Sequence, residues 1–199
     1  MEQYYANIRD STDKGGCWGG LYYTVFSNVI NENNFKVVAE VGIGYGMHAR
    51  QLLRDTSIEK LFLVDPSKPY PNDGFSVDVL MNGGFEALVN EIKKELSPYQ
   101  NRYEWIRKPS LEVTDEEIPD ESLDAVFIDG DHSYEAVKAD LDKWWPKIRN
   151  GGQLLGDDYS SCHPGVPQAV NEFAKKHNIT YDFLFKEGQS YPIYRFKKN

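Results

Sequence analysis

Three residues able to move protons or hold a cation stand within four positions of one another: Asp129, Asp131 and His132, in the run FIDGDHSYEAV (Phe127–Val137). Apolar residues lead into Asp129, so that acid closes what reads as a short buried strand. A second pair of acids, Asp157 and Asp158, closes another such run, GGQLLGDD. If the two strands are neighbours, their axes lie roughly 4.8 Å apart and Asp129, Asp157 and Asp158 converge on one edge of the sheet. Carboxylates crowded together repel unless a proton or a cation compensates. A hard divalent ion takes oxygen ligands and would satisfy all three; Mg²⁺ is expected first, and three aspartates alone do not separate it from Mn²⁺ or Ca²⁺. Beside it, His132 or Asp131 could serve as a general base. Asp131 also precedes a helix and could cap its first turn, a task Ser133 could perform instead. His132 could equally be a partner for the Asp129 or Asp131 carboxylate.

These residues need strands and helices to hold them. From Lys36 onward, short apolar runs alternate with helix-like segments. VVAEVGIG (Val37–Gly44), KLFLVDP (Lys60–Pro66), YEWIRK (Tyr103–Lys108), DAVFIDG (Asp124–Gly130) and GGQLLGDD read as five strands. Between them, MHARQLLRD, FEALVNEIKKEL (Phe85–Leu96), SYEAVKADLDKWWPKI and PQAVNEFAKKHN carry apolar residues at helical spacing. In the third of these helices, Tyr134, Val137, Leu141, Trp144 and Ile148 form the expected core face. YDFLFKEG and PIYRFKK read as a closing antiparallel hairpin. The pattern predicts an α/β fold with a doubly wound, mostly parallel seven-stranded Rossmann-like sheet. Residues 1–35 lie outside the alternation and are expected to form a helical cap or arm, with GGLYYTVFSNVI as a helix. Residues 36–199 then form the main body of a single domain.

The first strand ends as Glu40-Val-Gly42-Ile-Gly44-Tyr-Gly46. Glycines let the backbone turn sharply and let a ligand approach without a Cβ in the way. The helix that opens just after presents unpaired N–H groups. A dinucleotide site expects G-x-G-x-x-G, but here the third glycine comes one position early, with Met47 in its place. The E-x-G-x-G-x-G form resembles the first motif of class I S-adenosylmethionine-dependent methyltransferases. That resemblance implies S-adenosylmethionine as cofactor, with Glu40, Gly42, Gly44 and Gly46 around it. Asp65 ends the second strand, 19 positions after Gly46. A carboxylate there can accept both ribose hydroxyls, although an Asp-Pro turn would need no ligand. Ser110, after the third strand, occupies the region that lies near adenine in such folds, and Asp129 closes the cofactor site from the fourth strand.

The segment FIDGDHSYEAVKADLDKWWPKIRNGGQLLGDDY is similar to the cation-dependent O-methyltransferases that act on sugars and natural products, of the macrocin and aminocoumarin type, and more distantly to the catechol type. The similarity covers about residues 36 to 160. It implies that Asp129, Asp157 and Asp158 are metal ligands; the catechol branch carries Asn where this chain has Asp158. It also bears on the base, since the catechol branch places a lysine at the position of His132 and the sugar branch an acid at that of Asp131. A metal bound to a hydroxyl lowers its pKa and fixes its position for transfer of the methyl group. The acceptor expected is a small hydroxylated molecule, a sugar or glycosylated metabolite first. The alternatives are metal-independent methylation of nitrogen on the same fold, and a protein that binds the cofactor without transferring its methyl group.

Composition narrows the remaining classes. The chain has 199 residues, a formal net charge of −9 and 40% hydrophobic residues, enough for one folded domain. That charge argues against a nucleic-acid substrate, which calls for a basic face. No apolar run approaches the roughly 20 residues needed to cross a bilayer. Two cysteines and no secretory leader fit a cytoplasmic protein. Cys162 and His163 are adjacent, with no second ligand pair at zinc-like spacing, and His163 could face the acceptor. His48 reads as an ordinary first-turn residue. KGGCWGG (Lys14–Gly20) could fold over a ligand, with Trp18 stacked on a substrate ring, while Cys17 has no histidine partner in sequence. A homo-oligomer is compatible with all of this.

Overall fold

The computed structural model describes residues 1–14, 24–70, 74–185 and 192–199. Two helices come first, α1 (Glu2–Asp13) and α2 (Thr24–Asn33). The alternating part follows as β1 (Val37–Val41), α3 (Met47–Asp55), β2 (Lys60–Val64), α4 (Gly74–Met81), α5 (Phe85–Leu96), β3 (Tyr103–Ile106), β4 (Leu123–Ile128), α6 (Tyr134–Trp144), β5 (Ile148–Gly156), α7 (Gly165–His177), β6 (Tyr181–Leu184) and β7 (Ile193–Lys197). The strands form one seven-stranded sheet in the order β3-β2-β1-β4-β5-β7-β6. The first five run parallel, and β7 lies antiparallel to both β5 and β6. The doubly wound sheet and the closing hairpin are as the sequence predicts.

Central strands read as unbroken apolar runs because helices cover both faces of the sheet. Val38, Leu61, Leu63, Ala125, Phe127 and Leu155 pack on one side against α2, α3 and α5. Ala39, Val41, Val126, Ile128 and Leu154 pack on the other against Val137, Leu141 and Trp144 of α6 and Val170 and Phe173 of α7. Each buried Val, Leu, Ile or Phe among them contributes about 1.5–3 kcal/mol. Tyr5 and Phe26, from the first two helices, belong to the first of these cores. The lower ends of three strands are clamped by one acid. Asp124 Oδ2 accepts hydrogen bonds from the Lys36 and Val37 amides (2.5 and 2.8 Å), and its Oδ1 accepts one from Arg149 Nε at 2.6 Å. Fixing β1, β4 and β5 at that end fixes which residues emerge together at the other.

Three elements depart from expectation. The helix foreseen to run through Ile148 ends at Trp144, because Pro146 has no N–H to continue the ladder. Ile148 instead opens β5 and pairs with Leu123. Helix α1 falls in the expected helical arm but without a helix of its own marked in the sequence, and α4 has no counterpart in the sequence pattern. In α1 only Tyr5 and Thr12 are buried, and α4 leaves Val77, Leu80 and Met81 exposed, so neither shows a clean apolar stripe. Cys17 and Trp18 lie outside the described residues. No helix among the described residues is long and apolar enough to cross a membrane.

Candidate active site

The glycine turn is forced by its neighbours. Gly42, Gly44 and Gly46 all have left-handed φ angles of +83°, +50° and +73°, a region that L side chains rarely enter. A Cβ on Gly42 would sit 2.1 Å from the carbonyl oxygen of Asp129, because β4 ends directly alongside β1 and the Asp129 amide bonds to Val41 O at 2.8 Å. A Cβ on Gly46 would meet the Ile92 side chain of α5 at 2.9 Å. Gly44 differs, with nothing within 4 Å of that position. The turn is thus packed at both ends and open in the middle, where it faces the rim of the sheet. Gly46 also starts α3, whose first N–H groups have no partner within the helix.

Asp65 is bound into the same turn. Its Oδ2 accepts the Ile43 amide at 2.9 Å, and its Oδ1 accepts the Ser67 amide at 2.6 Å. Oδ1 also accepts the Ser67 hydroxyl at 3.3 Å, whereas Oδ2 keeps a further lone pair for a ligand hydroxyl. Glu40 is enclosed within the end of β1. It is 1% exposed, and its Oε1 is 3.0 Å from Nδ1 of His48, itself buried against Phe26 and Phe127. Burial drives the Glu40 pKa up, His48 offsets part of that rise, and Asp129 and Asp65 add to it. His48 is therefore not the ordinary first-turn residue the sequence suggests, but the group that holds Glu40. Ser110 is anchored too, its hydroxyl bonded to Asp140 of α6. Asp140 is 5% exposed, and burial pushes its pKa up to about 6, against the Ser110 bond and with help from Asp131.

The acids do converge. Ile128 and Gly156 are paired in the β4–β5 register, so Asp129 and Asp157 leave neighbouring strands at the same level. In an extended chain Asp158 would point to the opposite face. Its φ of +55° turns it back, and carboxylate oxygens of Asp129, Asp157 and Asp158 all lie within 4.8 Å of one another. His132 joins them, with Nε2 3.1 Å from Asp158 Oδ2 and 3.6 Å from Asp129 Oδ1. Burial disfavours its charge, but Asp129, Asp158 and Asp157 outweigh that effect and raise its pKa. The Asp158 pKa is raised by burial, with His132 pulling it down and Asp129 pushing it up. Asp131 takes another path. It is exposed, and its Oδ1 accepts the Ser133 amide at 2.8 Å, while Ser133 caps α6 through Ala136 N.

His163, which the sequence offers as a residue that could face the acceptor, gains a definite place, and one further feature was not legible. His163 lies beside the acids, its Nε2 3.7 Å from Asp158 Oδ1 and its ring 4.8 Å from that of His132. A groove of about 580 Å³ opens one residue past Asp158, between Tyr159, Ser160, Pro164, Pro167, Phe183 and Phe185. Ser160 Oγ is buried there with no hydrogen-bond partner among the described residues.

The donor set suits a hard cation: three carboxylates at one point, and among the described residues no lysine or arginine paired with Asp129 or Asp158. The open glycine turn, with a carboxylate at the end of the next strand, suits a nucleoside.

Known proteins share this frame. Three solved structures have the same fold. An S. aureus protein assigned as a caffeoyl-CoA O-methyltransferase superposes with a TM-score of 0.64 at 18% identity, covering 89% of this chain and 83% of that one. The O-methyltransferase NovP gives 0.61 at 21% identity, over 98% of this chain and 80% of that one. M. capricolum TrmK, in complex with S-adenosyl-homocysteine, gives 0.60 at 16% identity, over 89% and 67%. An uncharacterized protein of Acanthamoeba polyphaga mimivirus is 24% identical over 159 residues, which span 76% of this chain and 66% of that protein. A family profile described as a methyltransferase domain matches residues 15–159, from before α2 to just past the paired acids. The chain belongs to that family and is an S-adenosylmethionine-dependent methyltransferase.

Proposed function

We propose that this chain is a divalent-cation-assisted O-methyltransferase acting on a small hydroxylated molecule, with a sugar or glycosylated metabolite as the favoured acceptor class. The observation that carries this reading is the meeting of Asp129, Asp157 and Asp158 within 4.8 Å at the rim of the sheet, with His132 against them. S-adenosylmethionine supplies an electrophilic methyl group on a sulfonium. Gly42, Gly44 and Gly46 give it a side-chain-free turn, Asp65 takes the ribose hydroxyls, and Ser110 borders the adenine. Asp129 flanks the cofactor as well as the ion. Glu40 acts from within the end of β1, fixed by His48.

A divalent ion held by the three aspartates would acidify an acceptor hydroxyl and hold it in line with the methyl group. His132, with Nε2 3.1 Å from Asp158 and 3.6 Å from Asp129, stands within reach of a hydroxyl held at the acid cluster and is the candidate to take the released proton. Asp131 is tied to Ser133 and points to a capping role. The groove past Asp158 offers an apolar wall for the body of the acceptor, and the net charge of −9 is unsuited to a nucleic acid.

The test is a turnover assay with Mg²⁺ and with a chelator. Asp157→Ala should abolish methyl transfer while S-adenosylhomocysteine still binds, and Asp129→Ala should abolish transfer and also weaken S-adenosylhomocysteine binding. His132→Ala should lose about 10²-fold or more in kcat, and Asp131→Ala far less. Full activity of both aspartate variants in chelator would remove the metal and favour metal-independent methylation of nitrogen.

A further inference from the structure

We propose a second metal subsite, formed by His132, Asp158 and His163, that takes a borderline transition ion of the Zn²⁺ and Co²⁺ class and overlaps the all-carboxylate site through Asp158. Donor atoms of these three residues lie within 4.8 Å of one another. Both histidines face Asp158 through Nε2, one at 3.1 Å from Oδ2 and the other at 3.7 Å from Oδ1. Four ligands around zinc, at bond lengths of about 2.0–2.1 Å, stand roughly 3.3 Å apart. The observed spacings bracket that value. Asp129 Oδ1, 3.6 Å from His132 Nε2, is in reach of the fourth position.

The two histidines are 31 positions apart in sequence, and the backbone brings them together deliberately. A Cβ on Gly165 would stand 2.5 Å from the Tyr134 amide and 3.1 Å from the His132 carbonyl oxygen. Only a glycine lets the loop that carries His163 close onto the start of α6. His132 Nε2 is buried and makes no hydrogen bond among the described residues, so its lone pair is not committed to a protein donor. Imidazole nitrogens favour zinc-class ions, whereas Mg²⁺ takes oxygen. One rim thus presents two donor sets of different hardness. They share Asp158, so an ion in the mixed set withdraws a carboxylate from the hard set and occupies the proposed base. Zinc-class ions are therefore expected to inhibit in competition with Mg²⁺.

Binding to this subsite does not require methyl transfer, so it is tested on metal-free protein without cofactor. Co²⁺ is titrated in, followed by its visible absorption, and Mg²⁺ is titrated separately by calorimetry. The wild type should show the strong bands of near-tetrahedral, nitrogen-ligated Co²⁺. His163→Ala should weaken Co²⁺ binding by at least about tenfold, since loss of even a ligand's outer partner costs that much, and should leave Mg²⁺ binding unchanged. Asp157→Asn should do the reverse. Circular dichroism of both variants checks that they fold. Absence of the bands in wild-type protein, Co²⁺ binding indifferent to His163→Ala, or Co²⁺ binding abolished by Asp157→Asn would each overturn the second subsite.

Discussion

Gly42 and Gly44 share a backbone conformation but not a reason for it. Gly42 must be glycine because the Asp129 backbone occupies the space where a Cβ would go; Gly44 has open space there. Gly42→Ala is expected to cost about 3 kcal/mol or more, combining strain with displacement of β4. Gly44→Ala should cost only about 1 kcal/mol of strain but weaken S-adenosylhomocysteine binding. Denaturant melts and calorimetry on the two variants separate packing from ligand access. Equal stability losses with equal affinity would show that the middle of the turn faces no ligand. Asp140 gives a pH signature at the same scale. It is buried on α6 against Ser110, with Asp131 the nearby charge. The folded protein keeps its proton up to about pH 6, whereas an unshifted aspartate releases it near 3.8. Between those values the folded state binds more protons, so this contribution to stability is complete at low pH and is lost as pH rises through 6. Asp140→Asn keeps an oxygen toward Ser110 and cannot ionise. It should therefore stabilise by about 1–3 kcal/mol at pH 8 and hardly at all at pH 4, read from melting temperatures. Equal effects at both pH values would contradict the buried, protonated acid.

At the scale of elements, one arginine joins three of them. Arg102, just before β3, donates from Nε to Ile58 O, from Nη1 to Leu53 O and from Nη2 to Thr56 O at 2.9, 2.7 and 2.9 Å. These carbonyls end α3 and lead into β2, where a helix has no internal donors left. Arg102→Ala should cost about 2–4 kcal/mol, and Arg102→Lys should recover less than half, because an ammonium cannot span the three acceptors. Urea denaturation checks it; full recovery by lysine would mean that charge alone matters. The strands were readable because parallel strands buried on both faces leave unbroken apolar runs, and α5 because its stripe is complete from Phe85 to Leu96. The acids and the glycine turn were readable because they sit at strand ends, where the register of β1, β4 and β5 brings them together. What the sequence hid were contacts made in space. His48 under Glu40, Asp140 under Ser110 and His163 beside Asp158 each depend on how a helix or loop packs, and no local pattern marks them. Helix α4 was hidden for a different reason, since Val77, Leu80 and Met81 point outward while Val79 is buried, which breaks the stripe.

For the whole molecule, the sheet does two things at one rim. Its clamped lower end sets the strand register, and the upper end then delivers an open glycine turn beside a crowd of negative charge. An acidic chain gains nothing in stability from three further carboxylates packed together. Their arrangement makes physical sense when a doubly charged ion sits among them next to a methyl donor. The most direct measurement is an anomalous difference map from a crystal grown with S-adenosylhomocysteine and Mn²⁺. The account predicts one peak bonded to oxygens of Asp129, Asp157 and Asp158, with the cofactor's sulfur turned toward it from the glycine turn. Cofactor density in that turn with no metal peak at the three aspartates would contradict it.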